Sequence, residues 1–208
     1  MALSPGIANG GKDLMCDGFL GGGNFLTLLD SSGAEIPGIT RVALSGVLVR
    51  SSNKLINSSA VAVATTSVAA GTAVAWAIYS LATGGTLLAS GLLRGARCFF
   101  AGHGDDDKIH EAGNSFVANT PVLVETVTGL SNASLALPTG LTARSRYFVR
   151  DEDNPGGTRK LALTAGGAAI DLTADGVGWI AQDFRTDLVN SGDSVNFAIG
   201  TLQIDLTY

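Results

Sequence analysis

Between Lys54 and Arg94 the chain carries no charged residue, and inside that interval its side chains alternate. In the stretch from Ala73 to Leu93, Val74, Trp76 and Ile78 interleave with the small Ala73, Ala75 and Ala77. A period of two means a strand with one heavy and one light face. Gly84 and Gly85 then supply the positive-φ positions of a tight turn, and the apolar run resumes at Leu87. This pattern predicts a β-hairpin with Trp76 and Ile78 in the core of a sandwich or jelly roll. A membrane helix does not fit, because Thr65, Thr66, Ser67, Gly71, Gly84 and Gly85 interrupt every window long enough to span. Lipid-facing strands require a closed barrel, and one hairpin is not a barrel.

The rest of the chain repeats this style. Charged residues are only 15% of the 208, while 28 are Gly and 46% are hydrophobic, enough for a core built from short strands. So few charges also suggest surface covered by neighbouring subunits. The net charge is −5, and the basic residues Arg144, Arg146, Arg150, Arg159 and Lys160 are interleaved with Asp151, Glu152 and Asp153. A surface that tracks phosphates needs an excess of positive charge, so no nucleic-acid partner is expected. Cys16 and Cys98 are too far apart for a metal knuckle. They pair only if the fold brings them together, and two buried thiols are the expectation. The amino terminus lacks a basic patch followed by an apolar core, so no secretory signal is expected.

Along the chain, residues 1–23 read as a leader and a short helix limited by Gly21 to Gly23, either closing the sandwich or serving as an anchoring arm. Strands are predicted over Asn24 to Asp30, Arg41 to Arg50 with a break at Gly46, and Leu55 to Ala64. After Phe100 the segment Ala101 to Lys108 reads as polar and flexible. Strands resume at Ser115 to Val117 and Pro121 to Val127. Residues 146–164 read as a hairpin around the Asp/Asn/Pro/Gly turn 151–157, with Tyr147 and Val149 sharing a face. Ala168 to Leu172 and Gly178 to Ile180 complete this unit, and Leu202, Ile204 and Leu206 make an alternating last strand.

Dense functional chemistry is confined to His103, Asp105, Asp106, Asp107, His110 and Glu111. Carboxylates and imidazoles bind divalent ions, which makes His103, Asp105, Asp107 and His110 candidate metal ligands. Their spacing is not that of an EF-hand, and a solvated junction is the plainer expectation. Asp151, Glu152 and Asp153 are likewise a hairpin tip before they are a calcium site. There is no Gly-x-Ser-x-Gly elbow, no His-Glu-x-x-His pair and no phosphate loop, so neither a catalytic residue nor a cofactor is expected. A paired-carboxylate glycosidase would need partners from distant segments, which no pattern indicates. Exposed aromatics stack on sugars. Trp76 reads as core, whereas Trp179 and Tyr147 are candidate glycan contacts, with packing the plainer role for Trp179.

Two parts of the chain resemble phage families. The opening Met1 to Ser4 with the helix Lys12 to Leu20, the strand Trp76 to Tyr79, the turn Ala82 to Gly85, the strand Leu87 to Leu93, and the closing Gly192 to Phe197 and Leu202 to Leu206 resemble small tail-fibre-like virion proteins of tailed bacteriophages. Thr120 to Val122, Leu137 to Leu141, Tyr147 to Val149 and Lys160 to Thr173 are similar to a small β module of phage virion proteins, although Ala112 to Asn114 replaces that module's usual His-Gly. The resemblances imply an all-β fold: an antiparallel β-sandwich or jelly-roll-like host domain, 1–104 and 183–208, with a short N-terminal helix and a nested small β domain, 105–182. They imply a non-enzymatic structural protein on the exterior of a virion, made in the cytoplasm of the infected cell. Its expected partners are other virion proteins, tail or capsid subunits, and copies of itself in a threefold oligomer, without membrane insertion. A tail-fibre or tail accessory role follows most directly. Capsid decoration is the alternative, and a carbohydrate-binding receptor-recognition module that contacts a host surface glycan is the second.

Overall fold

A computed structural model describes residues 17–51, 54–68, 70–111, 116–127, 136–153 and 157–205. The protein is all-β. In chain order the strands are β1 (Phe25–Leu29), β2 (Val42–Ala43), β3 (Leu48–Ser51), β4 (Lys54–Asn57), β5 (Val61–Ala64), β6 (Gly71–Ala73), β7 (Ala75–Tyr79), β8 (Leu87–Leu92) and β9 (Cys98–His103). There follow β10 (Lys108–Glu111), β11 (Pro121–Glu125), β12 (Arg146–Asp153), β13 (Thr158–Ala162), β14 (Gly176–Gln182), β15 (Thr186–Leu188), β16 (Ser194–Phe197) and β17 (Gln203–Asp205). Residues 17–21 form a helical turn, and the rest of the predicted leader and helix, with Cys16, lies outside the described residues. The chain divides into two compact units, Met1–Leu93 with Arg185–Tyr208, and Arg94–Phe184.

The discontinuous unit is assembled from antiparallel sheets in the orders β2-β1-β7-β8, β15-β6, β16-β5 and β17-β4-β3. One core joins them through Leu26, Leu28, Ile78, Val63, Leu188 and Phe197. Burying these side chains supplies the driving force, at about 25 cal/mol per Å² of apolar surface. The predicted strand over 41–50 is two strands. Gly46 takes φ +71°, and the chain turns there so that β2 pairs with β1 while β3 pairs with β4. Asn57 is fully buried and knits β4 to the closing segment. Its Nδ2 donates to the carbonyls of Ser59 (2.8 Å) and Ala198 (2.9 Å), and its Oδ1 accepts from the Leu202 amide (3.0 Å).

The continuous unit is a closed antiparallel barrel, β10-β13-β12-β11-β14-β9. Alternation fills it. Ile109 and Glu111 of β10 are buried while His110 between them is exposed, and Phe100, Val124, Tyr147, Val149 and Ile180 meet in the interior. A Cβ on Gly178 would lie 2.5 Å from the Leu137 side chain and 2.7 Å from the Phe100 ring. One on Gly102 would lie 2.4 Å from Pro138 Cγ, and one on Gly176 would lie 2.3 Å from the Pro138 nitrogen. Three bare glycines on β9 and β14 therefore let the Leu137 to Leu141 segment lie against the barrel, with Leu137 and Leu141 packed on its core. Strand entry and exit are neighbours, since Arg94 bridges Asp183.

Several expectations need correction. The unit begins at Arg94 and ends at Phe184, not at 105 and 182, because β9 is hydrogen-bonded on one side to β14 and on the other to β10. Residues 104–107, expected as part of a flexible junction, are the turn of the β9–β10 hairpin. Phe116 and Val117 are not in a strand, and Ser115 lies outside the described residues. Ala168 to Leu172 makes only the isolated bridge Ala162–Ala169. Leu206 and the 154–156 tip lie outside the described residues, and only the backbone pairing is described for Asp151, Glu152 and Asp153.

Candidate functional site

The β7–β8 hairpin carries three exposed leucines. β7 and β8 pair from Ala75–Leu92 to Ile78–Ala89, and then the register shifts so that Tyr79 faces Leu87. Leu88 is the extra residue of a β-bulge. The consecutive Leu87 and Leu88 are both exposed, at 50% and 41%, and Leu81 in the turn is 56% exposed. Gly84 and Gly85 take φ +63° and +77°, and a Cβ on Gly85 would lie 2.8 Å from Ser80 Oγ. Ser80 and Thr86 close the loop, with the Ser80 amide donating to the Thr86 carbonyl (3.0 Å) and the Thr86 amide donating to Ser80 Oγ (2.9 Å).

Arg41 fixes this loop from below. Its Nη1 donates to the carbonyls of Leu81 (2.7 Å) and Gly84 (2.5 Å). The rest of the guanidinium grips both oxygens of Glu35 and stands 3.8 Å from the Tyr79 ring centroid, a cation–π contact. Only 7% of the Arg41 side chain is exposed. The hydrogen bonds from Arg41 hold the Glu35 carboxyl below the usual carboxylate range, and Glu35 in turn holds Arg41 above its own. Leu81 is thus displayed on a turn that is clamped rather than loose, and Leu87 and Leu88 follow it at the start of β8. Sequence reading missed Arg41 and Glu35, because a six-residue separation across a turn follows no helical or strand period.

The candidate metal ligands are spread around the β9–β10 turn. His103 and His110 meet edge to face with ring centroids 4.8 Å apart, and His103 Nδ1 lies 3.9 Å from Asp175 Oδ2. Asp107 is committed elsewhere: its Oδ1 accepts from the Leu172 amide (2.9 Å) and its Oδ2 lies 3.5 Å from Lys160 Nζ. The Leu172 amide, more than the Lys160 charge, holds the Asp107 carboxyl low. Asp106 caps the turn by accepting from the Lys108 amide (3.1 Å), and Asp105 is exposed in the same turn. Among the described residues no three His, Cys, Asp or Glu side chains gather as a metal site. Glu111 is inside the barrel, paired with Arg159 and accepting from Cys98 Sγ (3.2 Å). Burial raises its pKa against the opposing pull of Cys98 and Arg159.

The two aromatic candidates part company. Tyr147 is 2% exposed and lies in the barrel core, its hydroxyl accepting from the Thr142 amide (2.7 Å), so it is not a surface platform. The side of β12 that carries Tyr147 and Val149 faces inward, which alternation alone does not specify. Trp179 is half-buried on the outside, edge to face with the exposed Phe99 at 5.6 Å, with the Arg97 guanidinium 5.3 Å from its centroid. Arg97 and Arg94 share the Glu125 carboxylate. Comparison of the chain with protein-family models, with characterised proteins and with solved structures gives no match.

Proposed function

We propose that this protein is a non-enzymatic structural component of a tailed-phage virion, a tail-fibre-like or tail accessory protein that works by assembly contacts and surface display. The observation that carries the reading is the hairpin with Leu81 on its clamped turn and Leu87 and Leu88 at the start of β8. A fixed apolar projection loses little entropy on docking, which is what a contact surface needs. The phage resemblance of the sequence supplies the particle, and the nested barrel supplies a second unit for display. Repeated copies would turn weak contacts into firm attachment through effective concentration.

The test is whether the chain co-purifies with particles made from the genome that encodes it, and what its deletion does. Loss of adsorption or of tail completion supports the tail role. Intact adsorption with fragile capsids supports decoration instead. Absence of the chain from purified particles refutes both.

A second reading, a carbohydrate-contacting module, is favoured by Trp179 with the exposed Phe99 and half-exposed Arg97 beside it. It predicts glycan binding that Trp179→Ala abolishes and that Tyr147→Phe leaves intact.

A further inference from the structure

Strand β8 is an edge. In the order β2-β1-β7-β8 it pairs with β7 on one side, and among the described residues no strand pairs with the other side. Among the described residues it is also the longest edge strand of its unit, six residues against two in β2 and four in β3. Native edges are protected by Lys, Pro or a cover, because a bare row of amides and carbonyls templates another strand. β8 reads Leu-Leu-Ala-Ser-Gly-Leu, with neither charge nor proline, and its one protection is the bulge at Leu88.

The direction of the free backbone groups follows from the register. The Leu93 amide donates to the Val74 carbonyl (2.9 Å), so that pair is hydrogen-bonded. Antiparallel pairs alternate, which makes Gly91–Trp76 bonded as well and leaves Leu92–Ala75 and Ser90–Ala77 as pairs whose amides and carbonyls point away. Ser90 and Leu92 therefore offer donors and acceptors to the open side.

We infer that β8 pairs antiparallel with β8 of a second copy of this chain, about a two-fold axis at Gly91. That register sets Ser90 against Leu92 of the second copy, and the reverse, so every outward group of the regular stretch is satisfied. Only a strand satisfies such a row, and an antiparallel edge is complementary to itself, giving an isologous pair that closes at two. Charge selects the same surface. The chain carries −5, so two copies repel over much of their surface, whereas no charge lies on this edge. A Cβ at Gly91 would strike the Trp76 ring at 2.7 Å, so the absence of a side chain at the axis position lets the indole lie across it on that face. The pairing deepens the assembly reading and replaces the threefold arrangement expected from the sequence.

So short a ladder makes a small interface and a weak dimer, so the experiment is sedimentation velocity over about 5–500 µM. The wild-type protein is expected to pass from monomer to dimer across that range. Ser90→Lys puts two like charges beside the axis, and Ser90→Pro removes an outward amide without touching a β7–β8 hydrogen bond. Each is expected to weaken dimerisation at least tenfold with an unchanged circular dichroism spectrum. Val68→Lys, at an exposed apolar residue of the same unit, is the control and is expected to dimerise as wild type. If Ser90→Pro does not fold, Ser90→Lys decides. A wild-type monomer at the highest concentration, a trimer, open-ended polymers, or a dimer indifferent to Ser90→Lys overturns the inference. Absence of the chain from particles would remove the virion reading and leave the pairing standing, so the two failures are distinguishable.

Discussion

Replacing Arg41 by alanine removes the clamp under the leucine-bearing loop while leaving the leucines in place. The loss has three parts. The cation–π contact with Tyr79 contributes about 1 kcal/mol at a nearly buried guanidinium. The donations to the Leu81 and Gly84 carbonyls contribute somewhat less than 1 kcal/mol each, because water reaches those carbonyls once the side chain is gone. The ion pair adds about 0.5 kcal/mol, discounted because Glu35 is 35% exposed. Together they come to about 3 kcal/mol, or about 10 °C in the midpoint of the unit that carries the hairpin. Thermal unfolding measures the total, and amide exchange at Ser80 and Thr86 measures the loop itself. Arg41→Lys keeps the charge but not the fork, and should recover less than half of the loss. The reasoning is refuted if Arg41→Ala moves the midpoint by less than 2 °C and leaves exchange at Ser80 and Thr86 unchanged.

Asn57→Ala strands the Leu202 amide in a buried place and withdraws a donor from the Phe197 carbonyl, and should cost about 1–3 kcal/mol in denaturant unfolding. Gly178→Ala forces a methyl between Phe100 and Leu137 and should destabilise the barrel by about 1–3 kcal/mol while sparing the other unit, as unit-resolved exchange would report. Acid should act oppositely on two carboxyls. Glu35 is depressed when folded, so its contribution is full above the unfolded value of about 4.3 and fades as pH falls through its folded value. Glu111 is raised, so its ionisation costs stability as pH climbs from about 4.3 through its folded value. Stability curves of Glu35→Gln and Glu111→Gln against pH should each lose one of these opposite slopes.

The β7–β8 hairpin was legible because alternation and a Gly-Gly pair are both local signals. The Leu-Pro-x-Gly-Leu segment was legible as a turn, yet its purpose was not. That purpose depends on Gly102, Gly176 and Gly178, far away in the chain, leaving room for Pro138 and Leu137. β9 was missed because Cys-Phe-Phe-Ala-Gly-His does not alternate in polarity, although its side chains alternate in burial. The acidic turn after it looked mobile because Gly-Asp-Asp-Asp is polar. Asp107 instead sits at φ +58° and reaches across to Leu172, a contact no spacing rule announces. The displayed hairpin was half legible: the leucines stand in the sequence, but the consecutive exposure of Leu87 and Leu88 goes with a bulge, and the clamp on the Leu81 turn comes from a residue forty positions earlier.

The most direct measurement is an image of the intact particle at a resolution that traces β-strands. The expected image shows a pair of nested β units on the particle exterior, with Leu81, Leu87 and Leu88 buried against a neighbouring subunit. A particle surface without this protein, or one on which those three leucines face open solvent, would contradict it.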